Sequence, residues 1–215
     1  MKLTKNTKLV MIGDSITDAG RAQPVGEGMG GALGSGYVSL VDALLGATRP
    51  DLGIRVINMG TSGNTVRDLA ARWQRDVLGL KPDWLSVMIG INDVWRQFDS
   101  PTRPERHVPL DEYERTLDDL VTRTLPAVTG LVLMTPFYIE PNTQDLMRAQ
   151  MDRYGAAVKR LAQKHNALFV DTQAAFNAVL AHLYPATLAW DRVHPGLTGH
   201  MVLARAFLRA VEFEW

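Results

Sequence analysis

The chain has 215 residues, with 23 lysines and arginines against 23 aspartates and glutamates, and no cysteine. That length suits one domain able to bury its own core. The charge balance leaves no net field to draw nucleic acid or an anionic membrane, and the missing cysteines exclude thiol catalysis and Cys-ligated zinc.

In chain order, the lysine-bearing start leads into "LVMI" (residues 9–12), an apolar run too short for a signal-peptide core, and then directly into polar turn residues. No stretch approaches the roughly 20 apolar residues of a membrane span, so a cytoplasmic protein is expected. Further runs follow: "IRVIN" (54–58), "WLSVMI" (84–89), "LVLM" (131–134) and "LFV" (168–170). Short runs without polar alternation fit strands buried on both faces.

Between the runs lie amphipathic stretches. Val66, Leu69, Ala70, Trp73 and Val77 recur at helical spacing, with Arg67, Asp68, Arg72 and Arg75 assigned to the other side. Tyr113, Leu117, Leu120 and Val121 form a second stripe, and Met147, Met151, Tyr154, Val158 and Leu161 a third; a last helix spans residues 197–211. Strand and helix alternate about five times, which predicts an α/β fold with a mostly parallel five-stranded sheet covered on both faces. Residues 1–215 are read as a single domain, with residues 21–36 and 96–110 as long irregular stretches.

Ligands in such folds bind beyond the carboxyl ends of the strands. There the chain places Gly13-Asp14-Ser15, then "GTSGN" (60–64), then "GIND" (90–93), and "DRVHP" (191–195) before the last helix. Acyl transfer needs a nucleophile, a base, a group orienting the base and donors for an oxyanion. Ser15 supplies an exposed hydroxyl and its own N–H, Gly63 a backbone N–H without a side chain, and Asn92 a side-chain amide. His194 precedes a proline, which favours an extended backbone, and Asp191 lies three residues back, within reach of the imidazole Nδ1–H.

Each piece alone has a plainer reading. Asp14, Ser15 and Thr17 are all acceptable helix N-caps, the two Gly-rich blocks are ordinary turn chemistry, and an isolated histidine is usually structural. The joint occurrence favours catalysis.

Together, "GDSIT", "GTSGN", "GIND" and "DRVHP" resemble the four blocks of the SGNH, or GDSL-type, hydrolases, with Ile16 where leucine is usual. The resemblance implies a flavodoxin-like three-layer α/β/α sandwich in which Ser15 is the nucleophile. It also implies His194 as base, Asp191 as its orienting partner, and Ser15, Gly63 and Asn92 as the oxyanion hole, with no cofactor. Nearly the whole chain is similar to bacterial acetylxylan esterases of this fold, including residues 60–69, "MIGINDVWRQ" (88–97), residues 131–140, "LFVDTQAAFN" (168–177) and "LAWDRVHP" (188–195). Removal of acetyl groups from xylose units of short oligosaccharides is therefore expected. The runner-up is another short-chain ester hydrolase, such as a lysophospholipase or a deacetylase of other sugars, although no extended apolar insertion accompanies the blocks. A catalytically silent carbohydrate-binding protein is opposed by the intact Ser15, Asp191 and His194.

Other features carry less. Residues 26–31 fit G-x-G-x-x-G but follow no predicted strand; a substrate entrance or subunit contact suits them better. Asp191, His194 and His200 lack a same-face metal-ligand spacing, so no metal is expected, and His107, His165, His182 and His200 are read as structural. Trp95 and Trp190 flank the blocks and suit sugar faces, core packing or, for Trp190, an interface. With the glycine-rich loop and the aromatic end "EFEW", Trp190 suggests a homo-oligomer.

Overall fold

A computed structural model describes residues 1–214. Its strands are β1 (Lys8–Gly13), β2 (Arg55–Asn58), β3 (Trp84–Met88), β4 (Gly130–Met134) and β5 (Leu168–Val170). All neighbouring pairs are parallel, in the order β2-β1-β3-β4-β5. The inner strands are buried on both faces, with Leu9, Val10, Met11, Ile12, Leu85 and Val132 all at 0% exposure, which is why their sequences do not alternate with polar residues.

The helices are α1 (Ser15–Asp18), α2 (Tyr37–Thr48), α3 (Val66–Asp76), α4 (Ile91–Asp99), α5 (Leu110–Thr124), α6 (Leu146–Lys164), α7 (Thr172–Leu180), α8 (Pro185–Leu188) and α9 (Leu197–Ala210). The β1 to β2 crossover runs one way along the sheet and the later crossovers run the other way. Right-handed connections therefore place α2 on one face and α3, α5 and α6 on the opposite one. The contacts agree: α2 and α7 pack on α9, while α5 packs on α3 and α6. Helix starts are fixed locally. Thr65 and Asp68 form a capping box on α3, and the carboxylates of Asp145 and Asp171 accept N–H groups of α6 and α7 at 2.9 and 2.8 Å, contacts of about 1 kcal/mol each.

Two expectations change. Residues 96–110 are not irregular throughout, because α4 runs to Asp99. Its apolar positions Ile91, Val94, Trp95 and Phe98 have helical spacing, but the polar pair Asn92-Asp93 in its first turn disguises the start. Nor does Arg72 lie on the solvent side of α3, since its side chain is only 9% exposed. Residues 21–36 do lack regular structure apart from a bridge in which Gly26 and Asn58 exchange N–H···O bonds of 3.2 and 2.8 Å. This loop follows α1 and lies beside β2, which is not the strand-to-helix setting of a dinucleotide fingerprint.

Candidate active site

The strand order reverses between β1 and β3, because the chain leaves β1 for β2 on one side and then crosses to β3 on the other. A crevice opens at the carboxyl ends at such a point. Ser15 follows β1 and Asn92 follows β3, so the two flank it.

Ser15 is the first residue of α1, and Asp14 caps that helix by accepting the Ile16 N–H at 3.0 Å. Gly13 allows the sharp exit from β1, since a Cβ there would lie 2.3 Å from the Met88 carbonyl oxygen and from Thr17 Oγ1. Thr17 ties the turn to α2 through a 3.1 Å hydroxyl contact with Tyr37. The Ser15 side chain is left partly exposed at the crevice.

Its Oγ lies 2.9 Å from His194 Nε2. His194 Nδ1 in turn lies 2.6 Å from Asp191 Oδ2, and the other carboxylate oxygen accepts the backbone N–H groups of Val193 and His194 at 3.0 and 2.8 Å. Burial pushes the Asp191 carboxyl up, but the hydrogen bonds from the His194 ring and the two backbone N–H groups outweigh it, and its pKa falls below the ordinary value. Asp191 is therefore a carboxylate that accepts a hydrogen bond from Nδ1–H, leaving Nε2 as the acceptor facing Ser15.

Gly63 lies in a turn closed by the Asn64 N–H donating to the Thr61 carbonyl at 3.2 Å. The turn is tied to the end of β1 by the Thr61 N–H bond to the Gly13 carbonyl at 3.0 Å. The backbone adds a second reason for glycine to the sequence-based one. A Cβ at position 63 would meet nothing within 4 Å, but the backbone φ of +81° belongs to glycine's region. The Asn92 side chain is oriented at both ends, with Nδ2 donating to the Asn64 carbonyl at 3.0 Å and Oδ1 accepting from Arg96 at 3.1 Å. Its second Nδ2–H remains for a ligand.

Trp95 meets the His194 imidazole edge-on with ring centroids 5.9 Å apart, while the Arg96 guanidinium lies 5.0 Å from the indole centroid. Trp190 is 83% exposed. The other histidines lie in other settings: His107 contacts the Ser100 carbonyl at 2.9 Å, His165 contacts Asp118 at 2.6 Å, and His182 is exposed. His200 Nδ1 accepts the Tyr37 N–H at 3.2 Å, and burial, then the charge of His194, lowers its pKa to about 4. Among the described residues no three His, Asp or Glu side chains are arranged to hold a metal ion.

Sequence reasoning missed Asp93. It is fully buried beside Asn92; Oδ1 accepts the Val66 N–H at 2.9 Å, and Oδ2 is the buried side-chain atom without a hydrogen-bond partner among the described residues. Burial raises its pKa from 3.8 to about 7, against the pull of the Val66 N–H. The folded state then keeps a proton that the unfolded chain loses above about pH 4, so this group's stabilisation is present at low pH and fades as pH rises through 7. Asp93→Asn keeps the acceptor and cannot ionise. Its urea unfolding free energy relative to wild type should rise between pH 4 and pH 8, by on the order of 4 kcal/mol. Parallel stability curves for the two proteins would refute this.

The family model of GDSL-like lipases and acylhydrolases matches residues 11–202. The chain belongs to the GDSL-like lipase/acylhydrolase family. Among family relatives, an acetylxylan esterase of Geobacillus stearothermophilus is 66% identical over 215 residues, covering 100% of this chain and 98% of the relative. The crystal structure of that enzyme superposes with a TM-score of 0.99. Solved forms of it include catalytic mutants of a serine, a histidine and an aspartate. An α/β hydrolase from the metagenome of Lake Arreo, Spain, is 58% identical with a TM-score of 0.97, covering 99% of this chain and 98% of its own.

Proposed function

We propose that the chain is a serine carboxylesterase that removes O-acetyl groups from xylose units of short xylo-oligosaccharides, with residues 1–215 acting as one domain. The observation that carries the chemistry is the unbroken line from Ser15 Oγ through His194 to Asp191, at 2.9 and 2.6 Å. The substrate class is supported by 66% identity, over the full chain, to an acetylxylan esterase.

Ser15 Oγ attacks the acetyl carbonyl carbon as its proton passes to His194 Nε2. The carbonyl oxygen becomes an oxyanion held by the Ser15 and Gly63 N–H groups and the second Asn92 amide hydrogen. Collapse expels the sugar oxygen, which takes the proton from His194, and leaves acetyl-Ser15. Water, deprotonated by His194, then attacks the acetyl carbon; acetate leaves and Ser15 regains its proton. Asp191 stays ionised and stabilises the imidazolium in both halves. Trp95 and Trp190 supply aromatic surface for sugar rings, and Trp95 also braces the base.

Acetate release from acetylated xylo-oligosaccharides should exceed that from other acetylated sugars, and lysophospholipid should be hydrolysed least. Equal kcat/KM on lysophospholipid would overturn the acetyl-specific reading. We further infer a cytoplasmic location, where the substrates are short imported oligosaccharides. No described helix is long and apolar enough to cross a membrane. Exposure of Met29 at 97% and Trp190 at 83% supports a homo-oligomer; a monomer mass by light scattering at micromolar concentration would count against it. Trp215, the end of the aromatic tail, lies outside the described residues.

A further inference from the structure

Arg72 makes three hydrogen bonds to the elements of the site, as many as Asp191, the most connected side chain used in the proposed reaction. From α3 its guanidinium donates Nε to Asn64 Oδ1 at 2.7 Å, Nη1 to the Met59 carbonyl at 2.8 Å and Nη2 to the Gly13 carbonyl at 3.0 Å. Nη1 also reaches Asp76 Oδ2 at 2.9 Å, and this carboxylate, 4% exposed, is held from its other side by Arg75. Gly13 lies two residues before the nucleophile, Met59 just beyond β2, and Asn64 beside Gly63. The Asn64 carbonyl is the acceptor that orients the Asn92 amide, at 3.0 Å.

A surface ion pair to Asp76 would need one of these bonds. The other three join the segments that carry the nucleophile and two of the oxyanion donors. Only a planar fork of five N–H donors can address them together; an ammonium is a single point with a shorter reach.

We propose that Arg72 is a positioning residue for the oxyanion hole, holding the Asn64 turn at the end of β1 so that the Gly63 N–H and the Asn92 amide converge on the carbonyl that Ser15 attacks. Small misplacements of such donors are costly, since a shift of about 1 Å can lower turnover about 10²-fold. Arg72 touches no reacting atom and acts through Asn64. The inference rests on the esterase reading.

The test measures kcat and KM on an aryl acetate, and Ki for a methyl trifluoromethyl ketone whose hemiketal oxyanion mimics the tetrahedral intermediate. The proteins are wild type, Arg72→Lys, Asn64→Ala and the control Arg75→Ala, each confirmed folded by thermal unfolding. For Arg72→Lys, kcat should fall about 10- to 10²-fold with KM within about threefold, and Ki should weaken in step with kcat/KM. Asn64→Ala severs only the link to the turn, so it carries the test if Arg72→Lys does not fold, and it should move kcat and Ki the same way. Arg75→Ala should match wild type.

Because Arg72 acts through the same donor as Asn92, combining Arg72→Lys (or Asn64→Ala) with Asn92→Ala should cost less than the sum of the separate free energies. Wild-type kcat in the folded variants, strict additivity, or a loss of kcat with unchanged Ki would overturn the proposal. If wild type itself neither turns over the aryl acetate nor binds the ketone, the esterase reading fails instead.

Discussion

Ser15→Ala should reduce acetate release by about 10⁴- to 10⁶-fold, leaving the turnover that donors and binding alone provide. The loss follows from the proposed mechanism, in which Ser15 Oγ, 2.9 Å from His194 Nε2, attacks the acetyl carbon and then carries the acetyl group. The substitution removes one oxygen from a partly exposed side chain at the crevice. Thermal stability should therefore stay close to wild type, while labelling by a fluorophosphonate disappears. Hydrolysis of an aryl acetate at even a tenth of the wild-type rate would sink the acyl-serine mechanism.

Asp191→Asn should cost on the order of 10⁴ in kcat, although the new side chain has almost the same shape. The carboxylate now accepts from three donors: the Val193 and His194 backbone N–H groups on Oδ1 and the His194 ring on Oδ2. An asparagine has one oxygen, and two fixed backbone donors claim it. Its NH₂ then faces His194 Nδ1, which must become an acceptor, and the ring proton moves to Nε2. That nitrogen points at Ser15 and can no longer take its proton. Measured kcat within tenfold of wild type would show that Asp191 does not set the tautomer. Retained fluorophosphonate labelling at the wild-type rate would count equally against it.

Much of this site was legible because backbone chemistry marks it. Ser15 stands after a strand buried from Leu9 to Gly13, His194 before a proline, and Asp191 three residues away, so their convergence follows once the sheet is known to be parallel. The supporting residues were hidden for a different reason. Arg72 falls at i+3 from Leu69 and i−4 from Asp76, on the same buried stripe as Trp73, yet its charge argues for solvent; helical spacing gives direction, but not the destination of a long side chain. Asp93 was hidden because a buried carboxyl, its pKa raised by burial, looks in sequence like any turn aspartate. Glycine at position 63 was anticipated for its lack of a side chain, and the structure adds a backbone angle that only three-dimensional closure of the turn imposes.

The proposed nucleophile, Ser15, and its proposed base, His194, are 179 residues apart in the chain. Ser15 comes with the first strand and His194 only after α8, across a connection in which Tyr184 is 74% exposed. Cutting the chain there would put acid–base and nucleophilic chemistry on separate fragments, neither able to hydrolyse an ester alone. Activity would return only when the fragments dock through the β-sheet and α9, which makes acetate release a direct signal that two pieces of polypeptide have found each other.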